Sequence, residues 1–318
     1  MGFYILSYVC IAVFLLAAGY RIYRQFSLPL HVRWEIYPVQ HETAARVAHG
    51  GSYMEEIDWW KKRREKSLLV ELCYMVPEIL FIRGLWKENR GLWWASFPFH
   101  FGLYLMIATF VLLVIHAGLT LWGATLFTAG STLRTLLDGL IAVMGWGGLI
   151  LGTIGSLGLL YRRWADPELR NYSSPDDYFN LLFICVFFLS GLISCLPGDP
   201  LLEGAKAYAA GLLTGGHSPA ATGKTAGSGP AGVVAIVTAS LLTAYIPLTH
   251  MSHMFMKYFF YHKVKWDDAP NLRGGGIEAA VRKNLELKPT WGAKHVGADG
   301  QKSWLDIASS APEEEKKK

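Results

Sequence analysis

Cysteine is scarce in this 318-residue chain, and the four present, Cys10, Cys73, Cys185 and Cys195, form neither a C-x-x-C pair nor a C-x-x-C-H. That spacing argues against an iron–sulfur cluster or a covalently attached haem c held by this chain. Three of the four fall in apolar or amphipathic patterns and read as packing residues. Charge is also thin, at 17% of residues. Asp138 is the one carboxylate inside an apolar block, whereas a histidine-lined ion or proton pathway would want several. The net charge of +5 comes without a nucleic-acid recognition motif, and the basic residues flank apolar blocks. No nucleic-acid partner is expected.

What the chain has in excess is apolar residues, 52% of the total, with a mean hydropathy of +0.26. They gather in five blocks, at about 4–20, 97–122, 133–161, 178–196 and 231–260, each long enough to cross a bilayer. An all-α, five-helix transmembrane bundle follows, occupying residues 1–262, with a polar tail over 263–318. Arg21 and Arg24 follow the first block, where a cleaved signal would carry its charges ahead of the apolar core, so this helix is expected to stay. Residues 21–95 form a polar connector. Its stretch 67–82, interrupted by Glu71, Pro77 and Glu78, suits an interfacial helix, and Trp86, Trp93 and Trp94 make an aromatic belt ahead of the second span. The glycines of the third span, with Gly148-x-x-x-Gly152 among them, offer a small-residue face for close helix packing. Ser173-Ser-Pro-Asp-Asp177 is an N-cap cluster opening the fourth. The tail, ending Glu313-Glu-Glu-Lys-Lys-Lys318, reads as unstructured chain or a segment docked on a partner.

Lysine and arginine set the orientation. Of 30, 27 lie in 21–95, in 162–170 and from Lys257 onward, and the other 3 are Arg134, Lys206 and Lys224 on the opposite side. The N-terminus is expected outside and the C-terminus in the cytoplasm, in a multi-pass protein of a bacterial or archaeal inner membrane, with lipid around it.

Histidine carries the chemistry. His250 and His253 fall inside the fifth block and His100 and His116 inside the second, and an ionisable side chain in hydrocarbon is by default a functional residue. Spaced i, i+3 on one helix, His250 and His253 would lie about 60° apart. Two antiparallel helices with inward histidines can hold a haem by bis-imidazole ligation. If His100 faces His253, His116 lies about 24 Å deeper at 1.5 Å per residue. Its depth partner then falls near Val237, which is not a histidine. His116 therefore has several readings: a pair with His217 if the outer loop folds back, haem ligation opposite another residue type, a quinone site, or plain packing. His250 can replace His253 as the inner ligand, or hydrogen-bond a propionate or a quinone. A cofactor-poor membrane anchor that docks redox subunits is the competing reading.

Three stretches then resemble a known family. Ser96-Phe-Pro-Phe-His-Phe-Gly-Leu103, Ile246-Pro-Leu-Thr-His-Met-Ser-His253 and the connector from Arg162 to Asp177 are similar to the haem-binding gamma subunit of respiratory nitrate reductase. The run from Met254 to Asp268 looks more like the membrane cytochrome b subunits of sulfate-reducer redox complexes, of the DsrM/Hme/Tmc type. The resemblance implies a respiratory electron-transfer subunit with two haem b, and one at minimum. It would work between menaquinone and a cytoplasmic iron–sulfur partner of heterodisulfide-reductase type, with a periplasmic multihaem cytochrome c often in the same complex. It also implies that His100 and His253 are the haem pair nearest the cytoplasmic partner. Where the family has its distal pair, this sequence has Phe110 and Ala235, so a second haem would have to be built with His116 and the outer loop.

Overall fold

The computed structural model describes residues 1–29, 58, 61, 68–123, 125–217, 229–253, 271–289 and 297–310. Among these the chain is all helical, without a strand. We number the helices α1 (Gly2–Ser27), α2 (Leu68–Phe81), α3 (Arg83–Glu88), α4 (Arg90–Leu121), α5 (Thr132–Ala165), α6 (Pro167–Asn171), α7 (Pro175–Cys195), α8 (Glu203–Leu213), α9 (Gly229–Tyr245), α10 (Gly276–Leu285) and α11 (Trp304–Ser309). Five are long and apolar enough to cross a membrane: α1, α4, α5, α7, and α9 continued to Leu248. The expected blocks each become a helix, and the first four extend beyond their apolar cores at one or both ends. Apolar side chains such as Leu136, Val143 and Ile154 point outward, while Thr109, Ser156 and Asn180 are buried, the arrangement of a chain whose solvent is lipid.

The chain divides into two compact units, Met1–Ala17 with Met75–Thr249, and Ala18–Tyr74 with His250–Lys318. In the first, glycine decides how α4 and α5 meet. A Cβ on Gly155 would collide with the backbone of Phe99, one on Gly102 with the backbone of Gly152, and one on Gly148 with the Met106 side chain. Across Gly152 lies the ring of Phe188 from α7, which is fully buried. The small-residue face of the third span thus lets two neighbours approach to backbone distance. Caps then place the ends. Asn89 accepts from Leu92 N at 3.0 Å to start α4. Ser174 and Asp177 form the capping box that the sequence announces for α7, with Pro175 in its first turn.

Between α7 and α9 the chain folds back as α8. Both carboxylate oxygens of Asp199 accept backbone N–H groups, from Glu203 at 2.8 Å and Gly204 at 2.9 Å, satisfying donors that a helix start leaves orphaned. Further along α8, Tyr208 stacks on Tyr4, and Ser7 Oγ lies 2.8 Å from Tyr208 OH and 2.7 Å from Ser240 Oγ. A residue triad from α1, α8 and α9 is tied by these contacts. At the other end of α4, Trp93 Nε1 donates to Phe81 O at 2.7 Å and Tyr104 OH to Ile79 O at 2.9 Å, which fixes the end of α2.

The fifth span departs from expectation. The single helix anticipated over 231–260 stops at Tyr245, continues as a 3-10 turn at Ile246–Leu248, and breaks at Thr249, which is extended at φ −112 and ψ −178. The reason is Pro247: it has no N–H to donate, and its ring cannot follow an α-helical turn. Residues 254–270 lie outside the described residues, as do 30–57, 59–60 and 62–67 of the connector, the loop 218–228, residues 290–296 and the last eight residues of the tail.

In the second unit, His250–Ser252 form another 3-10 turn. The tail is more ordered than its composition suggests. It carries α10 and α11, the latter opened by a Ser303–Asp306 capping box, with Trp304 N donating to Leu287 O at 3.0 Å.

If the glycine seam sets the distance between α4 and α5, Gly155→Val will force the two helices apart. Overpacking of this kind costs about 1–3 kcal/mol. A lowered melting temperature in detergent is the expected result, and an unchanged one would contradict the seam.

Candidate functional site

His100 occupies the third turn of α4 and is half-buried. Its Nδ1 lies 2.8 Å from Ser96 O and 3.3 Å from Ser96 Oγ. A carbonyl oxygen only accepts, so the proton of the neutral ring sits on Nδ1 and the lone pair on Nε2. Histidines that bind a metal through one nitrogen are commonly fixed by a hydrogen bond from the other, which sets tautomer and ring orientation. An i−4 carbonyl serves that role here because Ser96 and His100 lie one turn apart on α4, with Pro98 between them.

His253 shows the same arrangement in the second unit. Its Nδ1 is 3.1 Å from His250 O, which again leaves the lone pair on Nε2. His250 therefore supplies its backbone carbonyl to the neighbouring ring. The i, i+3 placement expected of an unbroken α-helix is replaced by a 3-10 turn, with His250 and His253 both exposed within the chain. Between them Ser252 is 2% exposed and accepts a hydrogen bond from Arg21 Nη1 at 2.9 Å, so the guanidinium is brought to this turn.

His116 stands in a different setting. Its Nε2 lies 3.1 Å from Asp138 Oδ1, and Lys206 Nζ lies 2.6 Å from that same oxygen. Lys206 also meets Glu203 at 3.0 Å, and Arg134 Nε approaches Asp138 Oδ2 at 3.9 Å. The ring of Phe127 packs edge-on against the imidazole at 5.1 Å. Residues from α4, α5 and α8 thus meet in one ion-pair network, in which Lys206 is only 5% exposed. His116 Nε2 and Asp138 Oδ1 are both buried and make no aligned hydrogen bond among the described residues, so charge and dipole hold them together.

His217 lies beyond the last turn of α8, its Nδ1 3.3 Å from Thr214 O. Lys206, in the first turn of that helix, is what α8 brings to His116; His217 is at the helix's other end. Of the five histidines singled out in the sequence, His100, His253 and His217 each have Nδ1 on a backbone carbonyl, and His116 lies against an acid.

Sequence reading passed over Lys206 and Glu203, treating Lys206 as one of the few outer-loop cations. Two signals were present. Asp138 is an acid in an apolar block and requires a partner, and Glu203 and Lys206 are spaced i, i+3 in an otherwise apolar eleven-residue helix.

The family model described as the nitrate reductase gamma subunit matches residues 85–267, more than half of the chain. No curated protein and no solved structure shows a significant match.

Lys206→Met tests the network. It leaves Asp138 facing His116 without its close cation, and removing one partner of a buried pair costs about 3–5 kcal/mol. The melting temperature of the purified protein is expected to fall well below that of a Lys302→Met control on the exposed tail; equal melting temperatures would mean the network contributes nothing.

Proposed function

The chain belongs to the nitrate reductase gamma subunit family, so it is a haem-containing membrane electron-transfer subunit of an oxidoreductase, and we propose that it links menaquinone to a cytoplasmic iron–sulfur partner. The observation that carries this reading is the shared geometry of His100 and His253, each with Nδ1 donating to a backbone carbonyl and Nε2 bearing the lone pair.

The donor set suits haem b. Two neutral imidazoles are an ordinary axial pair, and iron held that way supplies one-electron redox change when bound. His100 and His253 are the residues that would hold it, as the resemblance implies. Ser96 O and His250 O orient the two rings. Arg21, which donates to Ser252, would supply a cation for a propionate carboxylate. Phe99 packs edge-on against the His100 imidazole, with ring centroids 5.2 Å apart.

The remaining assignments extend the same reading. The cytoplasmic partner is of heterodisulfide-reductase type, and a periplasmic multihaem cytochrome c belongs to the same complex, as in the DsrM/Hme/Tmc-type subunits of sulfate respiration. The excess of Lys and Arg after the first, third and fifth spans supports an outside N-terminus and a cytoplasmic C-terminus in a prokaryotic inner membrane. Turnover then belongs to the complex, and this chain contributes passage of electrons.

Haem content measured by pyridine haemochrome in His100→Ala and His253→Ala provides the test. Both variants are expected to lose the haem held by this pair, and haem content equal to wild type in both would overturn the assignment. Addition of a reduced naphthoquinone to the oxidised protein is expected to raise the α-band of ferrous haem b; no reduction would remove the quinone link.

A further inference from the structure

The resemblance implies two haems, yet the donor set at the His116 end does not fit the second. His116 lies sixteen residues along α4 from His100, about 24 Å at 1.5 Å per residue. Its Nε2 lies 3.1 Å from Asp138 Oδ1, and both atoms are buried. Metal ligation places the ion at about 2.0–2.1 Å from the nitrogen, with the haem ring around it. A carboxylate oxygen this close to the nitrogen occupies the space that ring would need. It is not readily moved aside, because Lys206 contacts the same oxygen at 2.6 Å and is itself held by Glu203. The positions that correspond to the family's distal ligands hold Phe110, which is 52% exposed, and Ala235. Neither has an atom that binds iron. His217, the remaining imidazole of the outer loop, lies beyond the end of α8 opposite to Lys206, the end that meets His116.

We propose that an ion-pair network of His116, Asp138, Lys206 and Glu203 replaces the second haem, so the chain binds one haem b and exchanges electrons with quinone at its His100 end. The proposal rests on the haem reading of His100 and His253. The network does what a second haem would otherwise do for packing: it fastens α8 across the ends of α4 and α5, with Phe127 filling the space beside the imidazole. The functional consequence concerns distance. Electron tunnelling fades well within the 24 Å or so that separates the two ends. Without a redox group near His116, a quinone can exchange electrons only where it approaches the His100 half of α4.

The deciding measurement is haem b per polypeptide, from pyridine haemochrome and quantitative amino-acid analysis, on the wild type and on His116→Leu. One haem in the wild type is expected, and His116→Leu should keep it while melting at a lower temperature. A wild-type ratio of two overturns the proposal whether or not His116→Leu lowers it, and that ratio decides even if the variant fails to fold. A ratio of zero instead overturns the haem reading beneath it, so the two failures are told apart. An azido-naphthoquinone photolabel maps the second half of the proposal. Labelled peptides are expected around His100, and labelling confined to the segment from His116 to Phe127 would overturn it.

Discussion

A carboxylate inside a membrane helix cannot stand unpaired, and Asp138 is the place where this chain meets that constraint. Hydration is lost in hydrocarbon, so the acid must recover the energy from partners brought to it by other helices. Lys206 supplies most of that, at 2.6 Å, and to do so α8 has to fold back between α7 and α9 and lay its first turn against α4 and α5. The rest of α8 then meets α1, through Tyr208, Ser7 and Tyr4. One charge inside a membrane helix therefore accounts for the course of an entire connecting segment.

Histidines that look alike in the sequence are separated by their partners. His100 and His253 each give the Nδ1 proton to a carbonyl, which leaves Nε2 a base. His116 has its Nε2 3.1 Å from a carboxylate oxygen, inside an ion-pair network. Which nitrogen of an imidazole keeps its lone pair is set by the atom opposite the ring. The family match gives haem and membrane electron transfer a firm footing.

Much of this was legible in the sequence. Five apolar blocks gave five helices, the Ser174–Asp177 cap was visible as a cluster, and the glycines of α5 announced a close-packing face that Phe99, Gly102 and Phe188 now occupy. These succeed because bilayer thickness, capping and small-residue packing act within a few residues of one another. Two features escaped. The break after Tyr245 was written in Pro247, but an unbroken apolar run outweighed it, and so the α-helical spacing of His250 and His253 was taken for granted. The Lys206–Asp138–His116 network joins three separate segments, and no local pattern reports which cation a buried acid will recruit.

The central claim, that an imidazole pair in this chain holds haem b, is tested most directly by electron paramagnetic resonance and near-infrared magnetic circular dichroism of the oxidised, purified protein. The account predicts a low-spin ferric haem whose charge-transfer band has the energy of bis-imidazole ligation. A five-coordinate high-spin signal, a histidine–methionine band, or protein free of haem would contradict it.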